Sequence, residues 1–121
     1  MAKVLLVEDD DTMLSLLKTL LMMEGFQVAV LDHGQKDVLS SIRKEMPDLL
    51  LLDVHLPHHS GLELLRAIRE SNDLKDILVV MTSGMALQAE CLAAGANDFL
   101  LKPYMPDDLI SILNRCLTIN P

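Results

Sequence analysis

Apolar residues fall along this chain in two alternating rhythms. The first is a set of short apolar runs: Lys3-Val4-Leu5-Leu6-Val7, Phe26 to Leu31, Asp48 to Leu52, Ile77-Leu78-Val79-Val80-Met81 and Asp98-Phe99-Leu100-Leu101. A short run closed by turn residues reads as a strand, and an unbroken one as a strand buried on both faces of a helix-covered parallel sheet. The second rhythm is helical. Met13, Leu14, Leu16, Leu17, Leu20 and Leu21 recur at helix spacing, and Gly25 is placed to end that helix. Gly34 breaks the second strand. Val38, Leu39 and Ile42 form the next apolar face, stopped at Met46-Pro47. Leu62, Leu65, Ala67 and Ile68 make a third, which gives way at Ser71-Asn72-Asp73. The Ala-rich stretch Met85 to Ala94 predicts a fourth helix, ended by Gly95. Leu109, Ile110, Ile112, Leu113 and Leu117 predict a fifth, opened by Asp107 and Asp108.

Strand and helix therefore alternate five times. That pattern predicts an α/β fold: a doubly wound, five-stranded parallel sheet with five helices, flavodoxin-like. In the order 2-1-3-4-5, strands one and three are neighbours, and their junction is the topological switch point where such folds bind ligands.

Size and charge narrow the picture. The 121 residues suit one domain, read as spanning 1–121. Half are hydrophobic and none is Trp, so Leu, Val, Ile and Met must fill the core. A net charge of -8 argues against nucleic-acid binding and against adhesion to anionic membranes. Cys91 and Cys116 lack metal-ligand spacing and read as reduced, core-packed thiols. With no transmembrane-length run and no ordered signal peptide, the expected compartment is the cytoplasm.

Chemistry gathers where the strands end. Strand one runs into Glu8-Asp9-Asp10-Asp11, strand three into Asp53, strand four into Thr82-Ser83 and strand five into Lys102. In a parallel sheet these ends share one edge. Crowded carboxylates repel, which raises a pKa or demands a cation. Mg²⁺ fits one or two carboxylates plus a phosphate. A carboxylate beside such a metal is a nucleophile toward phosphorus, a lysine neutralises the transferring oxygens, and a hydroxyl donates to them. Taken alone, Asp53 reads as a turn cap. Asp10 and Asp11 read as helix-terminal acids. Alternation does not separate Thr82 from Ser83.

The set Val7-Glu8-Asp9-Asp10, Leu52-Asp53-Val54-His55-Leu56-Pro57 with Gly61, Met81-Thr82-Ser83, Gly95-Ala96-Asn97-Asp98-Phe99 and Lys102-Pro103 resembles the two-component response-regulator receiver domain, of the chemotaxis-type single-receiver form. The resemblance implies a phosphorelay switch rather than a turnover enzyme. Asp53 is then the phosphoacceptor. Asp9 ligates Mg²⁺ directly, Glu8 through water, and His55 by its backbone carbonyl, with Asp53 completing the metal set. Thr82 reports the phosphoryl group, Lys102 contacts it, and Phe99 matches the switch aromatic that turns inward when Thr82 moves. Phe99 also reads as plain core. Lys102-Pro103 is similar to the family's cis-peptide site. The implied partners are a histidine kinase or phosphotransfer protein as donor and a downstream protein or output domain as target, with a homodimer allowed. The sequence departs from the family at Ser83-Gly84-Met85 and in a stretch before Lys102 about two residues short.

Three rivals stand beside this reading. An Mg²⁺-dependent phosphatase or nuclease on a similar sheet would need a richer substrate pocket than these loops offer. A flavodoxin-like cofactor binder would need a Ser/Thr/Gly-rich phosphate loop where Glu8-Asp9-Asp10-Asp11 stands. A degenerate receiver acting by its surface alone would not need an intact acid, hydroxyl and amine set. His55, His58 and His59 lack zinc-site spacing and read as surface histidines.

Overall fold

A computed structural model describes residues 1–31 and 36–119. Gly34, expected to end the second strand, lies outside the described residues. The elements run β1 (Lys3–Val7), α1 (Asp11–Met23), β2 (Gln27–Val30), α2 (Val38–Glu45), β3 (Leu49–Asp53), α3 (Gly61–Glu70), β4 (Leu78–Ser83), α4 (Gln88–Ala93), β5 (Asp98–Leu101) and α5 (Pro106–Ile119). The strands form one sheet in the order β2-β1-β3-β4-β5, every neighbour parallel. Fold class and strand order match the expectation.

Two cores cover the two faces, and strand alternation decides which residue enters which. Val4, Leu6, Leu49, Leu51, Leu78, Val80 and Leu100 point to one face, where α1 brings Leu14, Leu17 and Leu21 and α5 brings Leu109, Leu113 and Cys116. Leu5, Val7, Leu50, Leu52, Val79, Met81 and Phe99 point to the other, where α2 brings Val38 and Ile42, α3 brings Leu65 and Ile68, and α4 brings Cys91. The four leucines of β3 thus divide two and two. Every residue of β3 and β4 is buried, which is why both read as apolar runs. Both cysteines are free and buried.

Helix ends follow local chemistry. Asp10 caps α1 by accepting from Met13 N at 3.1 Å, so the capping role expected of it holds. Gly25 then turns the chain with φ +93, a region that favours glycine. Ser60 caps α3 by accepting from Glu63 N at 3.3 Å. The expectation for α4 is corrected: it spans Gln88–Ala93, not Met85 to Ala94. Ser83 Oγ accepts from Met85 N at 3.0 Å, and this side-chain turn competes with the first helical turn. No helix among the described residues is long and apolar enough to cross a membrane.

Candidate functional site

Register brings the strand ends together. Val7 pairs with Leu52 and Asp53 with Thr82. Lys102 N donates to Ser83 O at 2.8 Å, extending the β4–β5 ladder by one residue. By alternation, Glu8, Asp53, Thr82 and Lys102 continue the α1/α5 face, whereas Ser83 continues the other. The register is consistent with Thr82, which the resemblance implies. Thr82 stands opposite Asp53, and the Ser83 hydroxyl is engaged by Met85 N.

Asp53 is held from both sides. Its Oδ1 accepts from His55 N at 3.2 Å and its Oδ2 from Lys102 Nζ at 3.0 Å. The same lysine donates to Glu8 Oε1 at 2.9 Å and Oε2 at 3.1 Å. Glu8 is 6% exposed, Asp53 5% and Thr82 3%, so two carboxylates and a hydroxyl lie under a half-buried ammonium. Asp9 is exposed at the rim. Oxygens of Glu8, Asp9 and Asp53 lie within 4.8 Å of one another.

The loop after β3 is fixed by backbone bonds. Val54 N donates to Thr82 O at 2.9 Å, Gly61 N to Val54 O at 2.8 Å, and His55 bridges Ser60. Gly61 is required there: a Cβ would stand 2.2 Å from the Asp53 carbonyl oxygen. The Lys102-Pro103 peptide bond is cis, as the resemblance implied.

Electrostatics follow from this crowding. The Glu8 carboxyl is pushed up to about 7, first by burial and then by its hydrogen bond with Asp53, while Lys102 pulls the other way. Burial pulls the Lys102 ammonium down, but hydrogen bonds to Glu8 and Asp53 outweigh it and the net shift is upward. Three acids face one lysine, so the pocket favours taking up a proton or a cation.

The site thus brings together Glu8, Asp9, Asp53, Thr82 and Lys102, with His55 contributing its backbone. Phe99 does not join them. It is 8% exposed and packs in the opposite core with Met81 and Cys91, so its ring is already inward in this structure. Sequence reasoning passed over Tyr104, which packs in the α1/α5 core. Its phenol is pushed up to about 12, first by burial and then by Glu8. Its position two residues after Lys102 was the available signal. His55, His58 and His59 line a shallow cavity with Leu56 and Leu87 but form no metal-binding group among the described residues. A larger cavity lies at the opposite edge of the sheet, beside Ala2, Asp48 and Ile77, and contains none of the site residues.

Known proteins resemble this chain in sequence and in fold. The family model described as response regulator receiver domain matches residues 4–114. The transcriptional regulatory protein CpxR of Escherichia coli is 36% identical over 117 residues, covering 97% of this chain and 50% of CpxR. The chain spans about half the length of the curated relatives it matches. Among solved structures, the chemotaxis response regulator CheY4 of Vibrio cholerae superposes with a TM-score of 0.85 at 28% identity, covering 96% of this chain and 98% of that one. The receiver domain of the sensor histidine kinase PA1611 of Pseudomonas aeruginosa, with a magnesium ion in its active-site cleft, gives 0.80 at 28% identity, covering 97% and 98%.

Proposed function

Since this chain belongs to the response regulator receiver domain family, we propose that it is a phosphorelay switch whose acceptor is Asp53, over a single domain spanning 1–121. A carboxylate oxygen of Asp53 attacks the phosphorus of a phosphohistidine on a partner kinase or phosphotransfer protein. The new O–P bond forms as the P–N bond breaks, and the imidazole leaves. One observation carries this reading: Asp53 is buried between an ammonium 3.0 Å away and two further carboxylates. A structural salt bridge needs one acid, not three.

The donor set fits Mg²⁺. It is all oxygen, carries more negative charge than Lys102 balances, and opens at the exposed Asp9. Glu8, Asp9 and Asp53 would hold the ion, joined by the His55 carbonyl. Bound there, it would offset charge on the phosphoryl oxygens. Lys102, already on Asp53 and Glu8, would neutralise charge on the phosphoryl oxygens, and the Thr82 hydroxyl would donate a hydrogen bond to one of them.

The added charge draws Thr82 toward position 53 and shifts β4 and the segment that follows it. Taking such an equilibrium from mostly off to mostly on requires about 5.5 kcal/mol of differential stabilisation. A charge-assisted hydrogen bond from Thr82 and the contact from Lys102 together are of that order. The domain contributes to its own phosphorylation and dephosphorylation, and its role is signalling in the cytoplasm. Its target is a protein or an output domain, since an acidic surface of this kind repels nucleic acid and anionic membrane.

The test is intact mass after incubation with acetyl phosphate. Gain of one phosphoryl group that needs both Mg²⁺ and Asp53 is the expected result. Gain of equal size in Asp53→Asn, or multiple turnover on simple phosphoesters, contradicts the reading.

A further inference from the structure

The helix α4 is held unevenly. It has six residues and buries one, Cys91. Its N-cap, Leu87, makes no side-chain hydrogen bond. The preceding residues are not helical: Met85 N turns back to Ser83 Oγ, and Leu87 N donates to Met85 O at 2.8 Å. This loose end follows directly from Thr82 and Ser83.

The other end is clamped by Arg69, from the last turn of α3. Its Nε donates to Gly95 O at 2.8 Å, Nη1 to Lys75 O at 2.8 Å and Ile77 O at 2.7 Å, and Nη2 to Asn97 Oδ1 at 2.9 Å. Asn97 ties the clamp to β4, because its Oδ1 accepts from Val79 N and its own N donates to Val79 O, each at 2.8 Å. Gly95 permits this approach. Its φ is +107, and a Cβ there would stand 2.9 Å from Arg69 Cγ. A rigid guanidinium fork can hold these four acceptors on two loops at once, which the three donors of an ammonium cannot.

We propose that Arg69 is the fulcrum of α4. Movement begun at Thr82 passes into Gly84–Ala93 and stops at Gly95, because the clamp holds the carbonyls of Gly95 and Ile77 and the Asn97 side chain fixed. Arg69 is a positioning residue that touches no reacting atom. The proposal rests on the switch reading for the source of the movement, while the clamp is judged without it.

Amide exchange followed by NMR on the whole chain tests both parts. Two amides with comparable hydrogen bonds are compared in the free protein: Cys91 N to Leu87 O at 2.9 Å and Ala96 N to Cys91 O at 3.0 Å. The clamp predicts that Ala96 exchanges about tenfold more slowly than Cys91. In Arg69→Met, Ala96 catches up while Leu50 to Leu52 keep their rates, and Arg69→Lys restores part of the difference. Should Arg69→Met not fold, Asn97→Ala reads the same quantities. Beryllofluoride with Mg²⁺, as a phosphoryl mimic, is then expected to shift amides from Met85 to Cys91 and leave Asn97 unmoved. In the Arg69 variants the shifts run on to Asn97. Equal exchange of Cys91 and Ala96 in the free wild type overturns the proposal. So does a beryllofluoride response that ends at the same residue with and without Arg69, which is what a mere structural brace would give. A mimic that moves nothing near Asp53 counts against the switch reading, while the free-protein rates still judge the clamp.

Discussion

Lys102 Nζ stands 3.0 Å from Asp53 Oδ2 and shares its charge with Glu8, so the proposed acceptor carboxylate rests against the cation expected to meet its phosphoryl group. The contact spans 49 residues of sequence. It is made by two parallel strands ending at one edge. Removing the cation leaves buried Glu8 and Asp53 facing each other. Lys102→Met is therefore expected to lose about 2 kcal/mol of stability in chelator above neutral pH, with proton uptake by Glu8 limiting the loss. Its rate of phosphorylation by acetyl phosphate should fall about a hundredfold. Thermal unfolding and timed intact mass check the two effects.

Glu8 gives the free protein a defined pH response. Its carboxyl sits at about 7 in the folded chain and near its ordinary 4.5 when unfolded. Between these values the folded state binds more protons, so stability falls as pH rises through this window and levels off above it. In chelator, wild type should lose stability relative to Glu8→Gln between about pH 5 and about pH 8. Added Mg²⁺ competes with that proton, and its stabilising effect should be larger at the alkaline end. Melting curves across the range, with and without the metal, check both signs.

Two glycines make opposite predictions. Gly61→Ala places a methyl 2.2 Å from the Asp53 carbonyl oxygen, on backbone that cannot yield. A loss of about 3 kcal/mol or more is expected, together with slower phosphorylation as β3 and α3 separate. Gly84 has nothing within 4 Å of its notional Cβ, and Gly84→Ala should stay within about 0.5 kcal/mol of wild type. Denaturant titration of the pair is the measurement.

Thr82 and Ser83 should separate by function. Thr82→Val keeps the buried shape and removes the donor. It should still gain phosphate, but the on-to-off ratio of the β4–α4 segment should fall about tenfold, the worth of one charge-assisted hydrogen bond. Ser83→Ala releases Met85 N and should alter that segment before any phosphate is added. Amide shifts with and without beryllofluoride distinguish the two.

Much of this was legible in the sequence because the signals were local. The unbroken leucines of β3 predict a doubly buried strand, and they divide between both cores. Asp10 and Gly25 have side-chain and backbone preferences that mark the ends of α1 without tertiary help. The start of α4 was misread because composition favoured a helix from Met85, while a single bond from Met85 N to Ser83 Oγ took the first turn away. Alternation within one strand does not separate Thr82 from Ser83, so the preference for Thr82 came from the resemblance, and that Thr82 stands opposite Asp53 is visible only in the register. The Arg69 clamp left no pattern to find: its acceptors are three backbone carbonyls and one amide oxygen, drawn from segments up to 28 residues away.

Phosphorelay through this domain requires that Asp53 carry the phosphoryl group. The most direct measurement is reductive trapping: phosphorylate with acetyl phosphate and Mg²⁺, reduce with borohydride, then digest and map by mass spectrometry. An acyl phosphate is reduced to the alcohol, so the account predicts homoserine at position 53 and unaltered aspartate at positions 9, 10 and 11. Homoserine at another acid, or a stable phosphate on a serine or histidine with Asp53 intact, would contradict it.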